Sequence, residues 1–179
     1  IAVMEAVVQP MQWSDASFPE RYLFRKFRDP ADGHAIIAED NYFVERLLPM
    51  MSGRRLTEVE MNAYRQPFPT VESRRPIAQW PREIPISGQP KRNVERIGHN
   101  YAWLRDKSNT PLLLVHAEPG VIFKAEAVKA MRNDISRMQT VSVGSGLHYI
   151  QEVQPTRIGD VVAEWFHTIE SQPLSKARP

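Results

Sequence analysis

Hydrophobic and polar positions along the chain fall into three textures. Ile1-Ala2-Val3-Met4 is a continuous apolar run closed by Glu5, as at the end of a buried strand. From Val7 to Pro90, short amphipathic patches alternate with Pro, Gly and Asp punctuation. Tyr22, Leu23, Phe24 and Phe27 form an apolar face at helical spacing, and Phe43, Val44, Leu47 and Leu48 form another. Thr57-Glu58-Val59-Glu60 has the capping-box pattern and predicts a short helix ending before Pro67. Pro76, Pro81 and Pro85 then argue against any long regular element. The segment reads as mostly helical, without a convincing strand.

After Pro90 the rhythm changes again. Val94, Ile97, Tyr101 and Leu104 predict a helix over 94–104. Leu112-Leu113-Leu114-Val115 has the continuous apolar character of a strand covered on both faces. A helix over 125–131 and a strand over 140–143 follow, then a loop at Gly144-Ser145-Gly146. Pro155 stands at the first turn of a last helix, whose apolar positions Ile158, Val161, Val162, Trp165, Phe166 and Ile169 keep the helical period. Strands alternating with helices predict an α/β fold with a parallel, doubly wound sheet and an inserted helical cap. The expected division is a core strand over 1–7, a cap over 8–90 and the remaining core over 91–179. Three strands are too few to complete such a sheet, and the opening in mid-strand leads to the expectation of further chain upstream.

Composition changes this picture little. With 42% hydrophobic and 25% charged residues among 179, the chain has the make-up of an ordinary soluble globular domain. The 23 basic and 21 acidic residues are interleaved, and a net charge of +2 gives no concentrated patch for nucleic acid. No run approaches the roughly 20 apolar residues of a membrane helix, and no secretory leader is legible. The absence of cysteine excludes disulfides and thiolate chemistry and fits a cytoplasmic protein.

Candidate chemistry gathers where strands end, because an open parallel sheet places its sites at the carboxyl ends of its strands. Glu5 directly follows the first strand, and His148 lies in the loop after the last one. A carboxylate beside a histidine fixes the imidazole tautomer and stabilises the imidazolium formed when the ring takes a proton. The other histidines are less promising: His34, His99 and His167 sit in helix-like or polar contexts, and His116 ends a strand.

At these residues the sequence resembles a known family. Gly146-Leu147-His148-Tyr149-Ile150-Gln151-Glu152 is similar to the histidine loop of haloalkane dehalogenases, members of the α/β-hydrolase superfamily. Ile1-Ala2-Val3-Met4-Glu5 resembles the strand bearing their catalytic acid. Leu56-Thr57-Glu58-Val59-Glu60-Met61, Tyr64-Arg65-Gln66-Pro67-Phe68 and the run from Trp80 to Pro90 resemble cap segments of the subfamily with a glutamate acid. The similarity extends to about Phe166. It implies hydrolysis of a carbon–halogen bond with no cofactor or metal: an aspartate displaces halide to give an alkyl-enzyme ester, and a histidine base activates the water that cleaves it. Carried over, His148 is the base and Glu5 its orienting acid. Phe24, Phe43, Trp80, Pro81 and Ile84 from the cap, with Val121, Ile122 and Leu147 from the core, would line a mostly apolar pocket for a small halogenated substrate. Pro81 would lie near the departing halide.

The family's Asp-Trp nucleophile motif occurs nowhere in this chain, and Ser145 between two glycines lacks the strand–turn–helix context of a nucleophile elbow. The resemblance therefore places the nucleophile and halide-binding residues in a missing N-terminal part, which this chain needs as a partner. Most relatives carry their acid after the second strand, at the position of Gly120, which cannot serve; this favours Glu5. Two alternatives share the scaffold: a coelenterazine-type luciferase, and a non-catalytic member acting as an interaction surface. The last helix, with Trp165 and Phe166, is also a candidate homodimer surface.

Overall fold

The computed structural model describes residues 1–171; residues 172–179, the end of the expected core segment, lie outside the described residues. Chain contacts divide the molecule into two compact units, one formed by Ile1–Ala6 with the chain from Ser108 onward, the other by Val7–Lys107. The helix over Lys91–Asp106 falls in the second unit, where the Asn93 side-chain amide donates to the Glu83 backbone oxygen at 2.7 Å and Arg92 pairs with the Glu83 carboxylate at 2.9 Å.

The first unit is built on a parallel sheet in the order β1 (Ala2–Val3), β2 (Leu113–Pro119), β3 (Gln139–Gly146). Leu112 to Val115 are buried, as a strand covered on both faces requires. One face packs Leu113, Val115, Ala117 and Val143 against Ile150, Ile158 and Val161. The last two lie on α8 (Pro155–Glu170), which Pro155 opens; α7 (Ala125–Asp134) connects β2 to β3.

The strands run longer than their apolar cores predict. Gly144-Ser145-Gly146, read as a loop, belongs to β3: Ser145 pairs with Glu118 and Gly146 with Pro119. Between the pairs His116–Ser142 and Glu118–Ser145 the register shifts, so β3 carries one residue more than β2. Gly144, at φ +97°, absorbs that extra residue in a left-handed conformation that side chains disfavour. A bulge with glycine looks like a loop in sequence because neither residue type nor alternation survives it.

The second unit is helical: α1 (Phe18–Arg28), α2 (Pro30–Gly33), α3 (Leu48–Met51), α4 (Glu58–Arg65), α5 (Arg75–Glu83) and α6 (Lys91–Asp106). Two π-helical stretches, His34–Glu39 and Phe43–Leu47, lie between α2 and α3. The predicted capping box opens α4, with Thr57 N donating to Glu60 at 2.7 Å and Glu60 N to Thr57 Oγ1 at 3.3 Å. α5 forms across Pro76 and Pro81: Pro76 occupies the first turn, where no donor is needed, while Pro81 sits inside a helix of nine residues. Phe27, Ile37, Ala38, Leu47 and Ala78 make the core, and the Phe27 ring lies 5.1–5.8 Å from those of Phe24, Tyr42 and Phe43.

Candidate active site

Glu5 follows β1 with φ +41°, a left-handed backbone that costs a residue with a side chain about 1–3 kcal/mol and persists only where its surroundings enforce it. They do. The side chain is only 4% exposed, and its carboxylate is held by the turn after β2. Oε2 accepts from Ile122 N at 2.9 Å and Val121 N at 3.1 Å; Oε1 accepts from Phe123 N at 3.3 Å. Consecutive amides converging on one carboxylate form a backbone anion nest, which supplies fixed partial positive charge without a cation.

Gly120 makes that turn feasible. Its φ is +64°, its N–H donates to Gly146 O at 3.1 Å, and a Cβ there would fall 3.0 Å from Ala117 O and 3.2 Å from Glu5 Oε1. A side chain at position 120 would thus crowd the Ala117 and Phe123 carbonyl oxygens and, just behind them, the Glu5 carboxylate.

His148 lies just beyond β3, with Nδ1 at 3.2 Å from Glu5 Oε2. Burial alone pushes the Glu5 carboxyl up; the His148 bond and the amides of Ile122, Val121 and Phe123 outweigh it and hold the carboxyl below its usual range. An ionised carboxylate at Nδ1 selects the tautomer that leaves Nε2 as the basic nitrogen. The His148 side chain is 35% exposed, against 4% for Glu5. The pair therefore joins an anchored, buried carboxylate to a partly exposed imidazole.

The first unit brings together Glu5, His148, Val121 and Ile122, with half-buried Leu147 adjoining His148. Val121 and Ile122 act on Glu5 through their amides, a role their side chains did not signal, although Pro119-Gly120 marks a turn there. Tyr149, part of the histidine-loop motif but given no role from sequence, sets its ring edge-on to that of His148, with centroids 5.0 Å apart. In the helical unit, Phe24 and Phe43 flank Phe27, both half-buried. On α5, Pro81 is buried and Trp80 is exposed, while the carbonyls of Pro81 and Ile84 both accept from Arg28 at 2.7 Å. Among the described residues, no group of three His, Asp or Glu side chains is arranged to hold a metal, and no helix is long and apolar enough to cross a membrane.

No protein-family model matches the chain. Among curated proteins it is 40% identical over 182 residues to a haloalkane dehalogenase of Bradyrhizobium diazoefficiens, covering 96% of this chain and 58% of that one. It is 41% identical over 167 residues to a haloalkane dehalogenase of Sphingobium indicum, covering 91% of this chain and 54% of the relative. The crystal structure of the haloalkane dehalogenase DbeA from Bradyrhizobium elkani superposes with a TM-score of 0.90 at 40% identity, over 95% of this chain and 59% of that one. That of DatA from Agrobacterium tumefaciens does so with a TM-score of 0.85 at 29% identity, over 94% and 57%. The chain thus spans between 54% and 58% of the length of the curated relatives it matches.

Proposed function

We propose that this chain, a homologue of the haloalkane dehalogenases, supplies the acid, the base and the cap of a hydrolytic dehalogenase whose nucleophile lies in sequence preceding Ile1. In the proposed reaction an aspartate carboxylate attacks the halogen-bearing carbon in line, the carbon–halogen bond breaks, and halide leaves with the bonding pair. Water then attacks the carbonyl carbon of the alkyl-enzyme ester while His148 Nε2 takes its proton. Collapse of the tetrahedral intermediate releases the alcohol and regenerates the aspartate; the proton on His148 passes to solvent.

The observation that carries this reading is the Glu5–His148 contact with its anchored acid. Three backbone amides fix the carboxylate, which holds one nitrogen of an imidazole whose ring remains partly open. As the imidazole gains charge during water activation, the pre-oriented carboxylate stabilises it without reorganising. The same reading gives Phe24, Phe43, Trp80, Pro81, Ile84, Val121, Ile122 and Leu147 contacts with a small, apolar, halogenated substrate, with Pro81 nearest the departing halide.

The test is halide release from 1-bromobutane by the full-length protein. Multiple turnovers in the parent and their loss in His148→Ala are expected. Because the base serves only the second step, His148→Ala should release one halide per protein and retain a butyl group, visible by intact mass. A folded full-length protein that releases no halide would overturn the reading.

A further inference from the structure

His116 occupies a distinct feature of the sheet unit. Alternation along β2 sends Leu113, Val115 and Ala117 into the core packed on α8, so His116 faces the α7 side. There it lines a groove of about 480 Å³ together with Glu118, Val128, Lys129, Arg132 and Thr140. The volume lies in the range of small-molecule sites. Among the described residues, none hydrogen-bonds the His116 ring, and none forms an ion pair with Lys129 or Arg132.

Unspent donors set the chemistry of a ligand. Lys129 and Arg132 oppose a single carboxylate, Glu118, leaving one net positive charge in the groove. Burial, offset by Glu118 and reinforced by Arg132, holds the His116 imidazole below its usual range, so it adds hydrogen-bonding capacity rather than a third cation. A guanidinium presents a planar fork that matches a carboxylate bidentately. Exposed Ala125 and the small part of Val128 left uncovered contribute apolar surface beside these donors.

We infer that the groove formed by β2, β3 and α7 binds a short-chain aliphatic monocarboxylate, its head group on Arg132, Lys129 and His116 and its tail along Ala125. Glu118 excludes dianions by repulsion, and the lone charge surplus fits a monoanion. The site is separate from the Glu5–His148 pair and independent of the dehalogenase reading.

The test is a titration of the full-length protein with sodium hexanoate, following the His116 ring protons by NMR, assigned through His116→Asn. A saturable shift is expected, weakened about tenfold or more by Arg132→Gln and less by Lys129→Gln. Hexanol and inorganic phosphate, probing the tail and the charge separately, should produce no saturable shift. Absence of saturation with hexanoate, an unchanged affinity in Arg132→Gln, or phosphate binding as tightly as hexanoate would each overturn the proposal. Both substituted side chains are exposed, so the variants test binding rather than folding.

Discussion

The two units solve the problem of holding polar groups in place by different means. In the sheet unit, Glu5 is fixed by consecutive backbone amides and the turn is stitched by Gly120 N to Gly146 O. In the helical unit, long side chains do the fixing. Arg28 reaches the carbonyls of Pro81, Ile84 and Gln89; Arg74 reaches those of Phe68 and Ala38; Arg65 binds Glu45 and Glu58. Backbone donors cannot change rotamer, which suits an acid that must orient a base. Arginine forks tie irregular turns together and tolerate variation in what they hold.

The largest effects should come from breaking each unit at its own anchor. Phe27→Ala removes a fully buried ring surrounded by three aromatic neighbours and should destabilise the helical unit by about 3–5 kcal/mol in chemical denaturation. Glu5→Gln should lower dehalogenation turnover by roughly 10³–10⁴-fold, the scale on which loss of an orienting carboxylate acts. Gly120→Ala forces a Cβ against Ala117 O, Phe123 O and Glu5 Oε1 at φ +64°, and should cost about 1–3 kcal/mol. Thr57→Ala removes the N-cap of α4 and should cost about 1 kcal/mol, with no effect on turnover.

A pH series sharpens the contrast at the smallest scale. Because the Glu5 carboxyl is held below its ordinary value of 4.5, the folded protein keeps it ionised to lower pH than the unfolded chain does. Its stabilisation is complete above that ordinary value and is lost as pH falls through the lower, folded one. The difference in unfolding free energy between parent and Glu5→Gln should therefore shrink on acidification below about pH 4.5.

What could be read from sequence follows the same division. Apolar runs announce β1 and the start of β2, and Thr57 with Glu60 announces α4, because burial and capping are written in residue type. Glu5 and His148 were legible as polar residues at strand ends, and the structure sets them 3.2 Å apart. The amide nest was not, since backbone donors carry no residue signature; only Gly120 hinted at the turn that aims them. The bulge at Gly144 hid the last residues of β3 for a related reason, and the π-helical stretches at His34–Glu39 and Phe43–Leu47 resemble ordinary helix in their apolar spacing.

In the proposed reaction the amide-anchored Glu5 acts by orienting His148 for ester hydrolysis. This role is tested most directly by rapid-quench halide release from 1-bromobutane with full-length Glu5→Gln. A first halide should be released at the parental rate, followed by stalled turnover with the butyl group retained on the protein. Steady turnover at the parental rate, with no retained butyl group, would contradict it.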